Sequence, residues 1–211
     1  MLRPLVIAYH LVWTGYGHRL PNDPRGSGSK VILSERIAAL GELHFGRKRV
    51  QPPSQVVREF YRQAEPILSY PLLTFDQCDI EVIGAAFAEI IAERRYTCYA
   101  CAIMPDHVHI LIRKHRDLAE EMIEHLQDRS RAHYRAAGRC DSGHPTWTEA
   151  GWRRFLSTPD EVRGVIQYIE RNPLEIGWPP QRWSFVKEYD GWPLHPGHNP
   201  NSPWARRLRG C

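Results

Sequence analysis

Four consecutive segments constrain the fold most, because two helical patterns enclose two strand-like ones. Apolar residues recur at helical spacing over 77–95 and again over 117–136. Between them, YTCYACAI (96–103) and HVHILIR (107–113) have the β-branched and aromatic content of strands. Pro105 lies between the two strands, where a residue that cannot donate to a sheet marks a turn or a break. This order predicts helix, strand, strand, helix.

The N-terminal third of the chain adds one strand and a long insertion. Residues 5–14, LVIAYHLVWT, are predicted to form the first strand. Residues 15–75 contain many glycines and prolines and few core residues, and we expect only short helices there, near 34–43 and 56–68.

A further helix is predicted after residue 157. Thr158 and Glu161 have the spacing of a capping box, and Pro159 suits the first turn of a helix. The helix should end near Asn172, because Pro173 disfavours helical backbone at the residue before it.

This order of elements predicts an α+β domain with an antiparallel sheet and helices packed on one face. The other face of the sheet would be available for a ligand. We expect a domain over 1–177, with the insertion at 15–75. An irregular tail rich in Pro, Gly and Trp is expected over 178–211.

Composition limits the classes of function that fit. The chain has 211 residues and a net charge of +4, which is compatible with a nucleic-acid partner. No apolar run reaches the roughly 18 residues of a membrane span, and the N-terminus does not have the pattern of a signal peptide. Five irregularly spaced cysteines predict reduced thiols and a cytoplasmic location. For Cys98 and Cys101 we favour two packed thiols over a zinc site.

The most informative motif is His107-Val108-His109 on the strand 107–113. Residues i and i+2 of a strand point to the same face, so the two imidazoles should lie side by side. Two neutral imidazoles on one face form half of a site for a divalent metal. Two strand histidines without a ligand remain the simplest alternative for this motif taken alone.

Two other histidine enzymes do not fit the residues that follow. An H-x-H-x-D-H hydrolase needs an aspartate at position 111 and a histidine at position 112, where this chain has Leu111 and Ile112. A histidine-triad nucleotide hydrolase needs a third histidine at position 111.

Tyr168 and Asn172 are one turn apart on the predicted helix, at the edge of its apolar stripe. A phenol can attack a phosphodiester when a metal polarises the phosphate. An amide oxygen is a suitable ligand for Mg²⁺ or Mn²⁺. Each residue alone also fits an ordinary position at the border of a core.

Together, MPDHVHILI and GVIQYIERNP resemble the single-tyrosine HUH transposases, a group that includes the REP-associated tyrosine transposases. The resemblance covers 96–177 well and 5–14 loosely, and LPNDPRGS in the insertion is similar to a stretch of some longer members. It implies a ferredoxin-like or RRM-like HUH nuclease fold.

The resemblance also implies the roles of the site residues. Tyr168 would be the nucleophile, His107 and His109 the ligands of Mg²⁺ or Mn²⁺, and Asn172 the third ligand. The activity would be cleavage and strand transfer of single-stranded DNA beside a hairpin, through a 5′-phosphotyrosine. Single-stranded or hairpin DNA is the expected partner, and a second copy of the chain is a candidate for another.

We also predict residues that contact the DNA. Lysine and arginine contact phosphates, and aromatic rings stack on bases. The predicted phosphate contacts are Arg113, Lys114, Arg116, Arg153 and Arg154. Trp147, Trp152 and Phe155 are candidates for stacking, with packing in the core as the alternative for Trp152 and Phe155. His10, in the first strand, is read as structural, although it could neighbour the site.

Two rival classes stay open at this point. One is a non-catalytic DNA-binding relative with the same fold, and the other is a replication initiator or relaxase that uses the same HUH chemistry.

Overall fold

The computed structural model describes residues 5–46, 48–149, 151–193 and 201–209, so Cys211 and the first four residues lie outside the described part. The described strands are β1 (Ala8–Thr14), β2 (Cys98–Ile103), β3 (His107–Arg113) and β4 (Trp152–Leu156). The helices are α1 (Glu35–Ala38), α2 (Ser54–Ala64), α3 (Gln77–Arg94), α4 (Ala119–Ala136), α5 (Pro159–Glu175) and α6 (Pro203–Arg209).

The four strands form one sheet in the order β2-β3-β1-β4, and every pairing is antiparallel. The predicted α+β class with an antiparallel sheet is therefore confirmed. The strand β1 lies in the interior of the sheet between β3 and β4, and it sets His10 opposite Leu111 on one side and Arg154 on the other. Residues far apart in sequence meet on this strand.

The two faces of the sheet bury different sets of side chains. On one face, Val108, Ile110 and Ile112 of β3 belong to the core that includes α3 and α4. On the other face, Leu111 packs with Val165 and Ile169 of α5. The long helices α3 and α4 cover one face as predicted, and α5 lies in addition across part of the opposite face.

The starts of α3 and α5 follow from their capping residues. Asp76 accepts a hydrogen bond from the N–H of Asp79, whose carboxylate accepts one from the N–H of Asp76. Thr158 and Glu161 form the predicted capping box at the start of α5. Each box satisfies backbone donors that the first turn of a helix leaves unpaired.

Three local predictions are wrong. The tail, expected to be irregular over 178–211, contains the short helix α6 (Pro203–Arg209). Helix α5 continues through Pro173 to Glu175. The proline lies in the last turn, where a missing N–H removes only one bond of the helix, and its carbonyl accepts a hydrogen bond from Trp178. Strand β4 was not predicted, because its sequence WRRFL has no alternation of polar and apolar residues.

The insertion and the tail both contact the sheet domain. The N–H of Gly15 donates to Asp106 and the N–H of Phe75 to Pro105, so both ends of the insertion are bonded to the turn before β3. In the tail, Lys187 donates to the carbonyl of Cys98 on β2. The division at residue 177 stays a prediction. Among the described residues, no helix has the length and apolar character needed to cross a membrane.

Candidate active site

The strand β3 places His107 and His109 on the same face of the sheet, with 4.8 Å between their ring centroids. Val108 between them is buried on the opposite face, in the core under α3 and α4. The alternation of the strand therefore presents two imidazoles on the face that also receives α5.

Each of the two rings uses its Nδ1 atom for a hydrogen bond within the protein. The Nδ1 of His107 lies 2.6 Å from Oδ1 of Asp106, and the Nδ1 of His109 lies 3.1 Å from Nε2 of His10. No described residue hydrogen-bonds to Nε2 of either ring. A histidine that binds a metal through one nitrogen commonly has the other nitrogen engaged in this way.

Burial keeps the inner histidines neutral. It lowers the pKa of His109 well below the ordinary value, and the neighbouring His107 and His10 contribute in the same direction. Burial also lowers the pKa of His10 to about 4, with a smaller contribution from the positive charge of Arg154. Both rings are therefore uncharged at neutral pH, which is the state in which an imidazole can act as a ligand.

His10 is part of this site, contrary to its reading as a structural residue. Its ring contacts those of His109, Trp152 and Tyr168 at centroid distances of 5.2, 5.6 and 6.0 Å. The sequence has no spacing that links position 10 to the H-x-H motif. Only the pairing of β1 with β3 brings it there, so the signal would have been a buried histidine in a neighbouring strand.

Helix α5 brings Tyr168 to the histidines. Its ring lies edge-on to His109, with 5.3 Å between the centroids and 84° between the planes. The side chain is 41% exposed, and its hydroxyl makes no hydrogen bond to a described residue. Packing thus holds the ring while the oxygen stays available.

Asn172 lies one turn after Tyr168 and is buried. Its Nδ2 donates to the carbonyl oxygen of Tyr168 at 2.8 Å, which leaves the amide oxygen without a hydrogen bond to a described residue. No hydrogen bond joins it to His107 or His109. Its role as third ligand stays a prediction.

Within the described ranges, no group of three His, Cys, Asp or Glu side chains is arranged to hold a metal ion. The donors that the structure does offer are the two free Nε2 atoms of His107 and His109. A third protein ligand from another residue type, such as the amide of Asn172, would fit this set.

Strand β4 distributes its side chains over both faces. Arg154 pairs in register with His10 and Trp152 with Val12, so both belong to the face of the site. Arg153 points to the other face, where it forms a 2.7 Å ion pair with Glu120 of α4. Trp152 is 54% exposed, so it is not a core residue.

The other aromatic candidates differ in exposure. Phe155 is half-exposed and contacts Tyr9. Trp147 is buried, and its Nε1 donates to Ser130 at 2.9 Å. The suggestion that Trp147 stacks on bases is therefore wrong, because a core residue cannot reach a ligand.

The remaining predicted DNA contacts lie at the opposite end of β3. Arg113 is six residues after His107, about 20 Å along an extended strand. Its guanidinium lies 4.5 Å from the ring centroid of Trp192. Lys114 and Arg116 line an open pocket of about 760 Å³ together with Glu93, Arg94, Arg95, His115 and Trp192. The structure does not bring this group to the histidines.

Sequence reasoning also missed a group of residues from the insertion. Arg25 forms an ion pair with Asp23 at 2.8 Å, and another of its nitrogens lies 3.7 Å from Oδ2 of Asp106. His18 is buried nearby, bonded to the carbonyl of Leu73. The similarity of LPNDPRGS to a stretch of some longer HUH members was the one available signal, and it did not indicate a position.

A strand that presents two histidines to a tyrosine on a facing helix defines the class of single-tyrosine HUH proteins. The model of the IS200-like transposase family matches residues 72–172, which include β3 and residues 159–172 of α5. The matched residues make up slightly less than half of the chain, and they include His107, His109, Tyr168 and Asn172, on which the resemblance to the single-tyrosine HUH transposases rests.

Two solved structures are similar to this chain at low identity. A REP-associated tyrosine transposase bound to a REP hairpin has 10% identity and a TM-score of 0.45, over 85% of this chain and 74% of the other. A candidate transposase from Deinococcus radiodurans R1 has 14% identity and a TM-score of 0.36, over 81% and 92%. A comparison with curated proteins found no match.

Proposed function

We propose that this protein is a metal-dependent endonuclease and strand transferase for single-stranded DNA, with Tyr168 as its nucleophile. One observation carries the proposal: an unbonded, accessible phenol is packed against His109, beside a second histidine whose Nε2 is also free. An ordinary core-edge tyrosine has no reason to pack on a buried histidine that has an unused ring nitrogen.

His107, His109 and Asn172 are the residues that would hold Mg²⁺ or Mn²⁺. When bound, the metal would supply Lewis-acid polarisation of the scissile phosphate. The protein's own part is to keep His109 neutral by burial, to direct both Nε2 atoms away from their Nδ1 partners, and to hold the phenol ring in place.

In the first step the Tyr168 oxygen forms a bond to phosphorus and the bond from phosphorus to the 3′ oxygen breaks. The products are a 5′-phosphotyrosine and a free 3′-OH, and the phenolic proton is balanced by the proton that the 3′ oxygen takes up. A second 3′-OH then attacks the same phosphorus and releases the tyrosine. Each step exchanges one phosphodiester for another, so no ATP is required.

The DNA would approach over β4 and the exposed edge of α5. Arg154 and Trp152 flank His10 on the face of the site, where a cation and an exposed ring suit a phosphate and a base. Lys114 and Arg116, with Arg94 and Arg95, form a second cationic surface at the far end of the sheet. Such a surface suits a DNA segment outside the cleavage point, such as a hairpin stem.

The alternative is a non-catalytic DNA-binding relative. It would bind the same DNA but leave the phenol of Tyr168 unmodified. Incubation with labelled single-stranded hairpins and Mn²⁺ separates the two, because the endonuclease forms a protein–DNA adduct that survives denaturation. Absence of the adduct, with DNA binding intact, would favour the non-catalytic alternative.

Two finer points belong to the same proposal. We expect a cytoplasmic protein, and a homodimer is the oligomeric state to test. Light scattering of the purified chain with and without hairpin DNA would measure the mass of the complex.

A further inference from the structure

The turn before β3 is held from two directions. Asp106 accepts from the ring of His107 through Oδ1, while its Oδ2 lies 3.7 Å from the guanidinium of Arg25. The carboxylate therefore bridges a proposed metal ligand and a residue that belongs to the insertion, 82 positions earlier than His107 in the chain.

Arg25 is itself held in place by a cluster that we call the insertion clamp: Arg25, Asp23 and Tyr61. Asp23 is fully buried and accepts from Nε and Nη2 of Arg25 at 3.1 and 2.8 Å. The hydroxyl of Tyr61 donates to Asp23 at 2.5 Å and accepts from Nη2 of Arg25 at 3.0 Å. Because the guanidinium is planar and its Nε and Nη2 atoms are held by Asp23 and Tyr61, the direction of its Nη1 atom is fixed.

The lowered pKa of Asp23 agrees with an ion pair inside the insertion clamp. Burial alone would raise the pKa of Asp23, but hydrogen bonds from Arg25 and Tyr61 outweigh it and lower that pKa. A buried ion pair recovers little net stability after desolvation, so its geometry can matter more than its strength. In this protein the geometry places Nη1 of Arg25 near the carboxylate of Asp106.

The backbone joins the same two regions. Gly15 and Phe75, at the two ends of the insertion, donate to the carbonyls of Asp106 and Pro105. The insertion thus starts and ends on the turn that leads into the H-x-H strand, and its only buried ion pair among the described residues adjoins the same turn.

We propose that Arg25 is a positioning residue, which acts through Asp106 to fix the orientation and tautomer of His107. With Asp106 held by Arg25, the carboxylate accepts a hydrogen bond from the Nδ1–H of His107, and Nε2 is left unprotonated toward the metal. The insertion is then a part of the metal site. This inference rests on the proposed function, because it takes His107 as a ligand.

The test measures metal affinity rather than DNA cleavage. Mn²⁺ dissociation constants are determined by electron paramagnetic resonance for wild type, Arg25→Ala, Asp106→Asn and the double variant. Outer partners of metal-binding histidines typically contribute about 10- to 100-fold in affinity. We expect each single variant to bind Mn²⁺ about 10-fold more weakly than wild type. The double variant should bind no more weakly than the single variant with the larger loss, since both residues act through one contact.

A second readout follows the proton on His107. In ¹⁵N spectra of the imidazole nitrogens, the wild-type His107 signal should be that of the Nδ1-protonated tautomer, and it should become a mixture in Arg25→Ala. The resonance is assigned by its loss in His107→Gln. A purely structural role of Arg25 would leave the tautomer unchanged.

Two further variants separate positioning from folding. Arg62→Ala removes an exposed arginine of the same insertion whose one ion-pair partner among the described residues is Glu59, and this variant should bind Mn²⁺ as wild type does. Arg25→Lys keeps a charge beside buried Asp23, so it should fold normally, but one ammonium cannot hold Asp23 and Asp106 together. If Arg25→Ala does not fold, the Mn²⁺ affinities of Arg25→Lys and Asp106→Asn are compared with that of wild type instead.

The outcomes are distinct. Wild-type affinity in Arg25→Lys and Arg25→Ala, or fully additive losses in the double variant, would overturn the role of Arg25 while leaving the metal site intact. Equal Mn²⁺ binding by wild type and His107→Ala would instead contradict the proposed function itself.

Discussion

The ring of Tyr168 lies edge-on to that of His109, 5.3 Å away between centroids, although 58 residues of chain separate them. The contact joins a helix that starts at Pro159 to a strand that ends at Arg113. It places the phenol ring beside His109, whose neighbour on the strand is His107, and no described residue uses the Nε2 atom of either imidazole.

The first prediction concerns the two histidines. His107→Ala or His109→Ala should abolish DNA cleavage, because each removes one of two imidazole donors. Hairpin binding should be nearly unchanged, since phosphate and base contacts lie on other residues. Cleavage and gel-shift assays on the same preparations measure both. If protein stripped with EDTA cleaves as fast as metal-loaded protein, the assignment of the site is wrong.

The second prediction concerns Asn172. Asn172→Ala should weaken Mn²⁺ binding and slow cleavage without abolishing it, because His107 and His109 remain. The loss of the 2.8 Å bond to the carbonyl of Tyr168 should cost about 1 kcal/mol of stability at most, since that carbonyl lies within a helix. Full activity at limiting Mn²⁺ would exclude Asn172 from the site.

The third prediction concerns pH and the helix that carries Tyr168. The pKa of Glu161 is lowered mainly by a hydrogen bond from the N–H of Ser157, and the N–H of Thr158 adds to this. A lowered folded-state pKa means that the stabilisation is complete above the ordinary value of 4.5 and is lost as the pH falls below it. Glu161→Gln should therefore lower the urea midpoint at pH 7.

The difference between wild type and Glu161→Gln should shrink as the pH falls below 4.5 and through the lowered folded-state pKa of Glu161, because the protonated carboxyl is neutral like the glutamine. Glu170→Gln is the matched control, because Glu170 is on the same helix, is exposed, and has no ion pair among the described residues. A Glu161→Gln deficit that is equally large at pH 7 and below that folded-state pKa would contradict this account of the cap.

The fourth prediction compares two neighbouring arginines. Arg154→Ala should weaken binding of single-stranded DNA and reduce the slope of log affinity against log salt by about 1, as expected for one phosphate contact. Arg153→Ala should have a smaller effect, because that side chain is on the opposite face with Glu120. Both remove one positive charge from β4, so net charge cannot explain a difference. Equal effects would show that the face of the sheet does not determine the contact.

Much of the fold was predictable because it depends on local patterns. The period of β3 predicted that His107 and His109 share a face, and the capping box at Thr158 predicted where α5 begins. The approach of Tyr168 to His109 could be expected only from the family resemblance, since neither pattern states how a helix and a strand pack.

Other features depend on pairings that no local pattern encodes. His10 reaches the site through the register of β1 against β3, and Arg25 through the folding of an insertion with few core residues. Strand β4 escaped prediction because an edge strand buries only Leu156 and so has no alternating pattern. The predicted helix end at Asn172 was wrong because a proline in the last turn of a helix removes only one hydrogen bond. The sequence alone does not show that Pro173 lies in the last turn.

The two other candidate nucleophiles are disfavoured by their surroundings. Tyr134 is buried in the core, where burial and the charge of Asp79 raise its pKa. The hydroxyl of Tyr189 donates to the carbonyl of Trp192, and burial raises its pKa to about 12. Tyr168, in contrast, is 41% exposed, and its hydroxyl makes no hydrogen bond to a described residue.

Mass spectrometry of the peptide that retains a nucleotide after cleavage of a hairpin substrate tests the central claim most directly. We expect the nucleotide on Tyr168, and no adduct in Tyr168→Phe, which keeps the ring and its packing on His109 but lacks the attacking oxygen. The Phe variant should still bind the DNA and should melt within a few degrees of wild type, since a single hydroxyl with no hydrogen bond is lost. An adduct on Tyr134 or Tyr189, or undiminished cleavage by Tyr168→Phe, would contradict the mechanism.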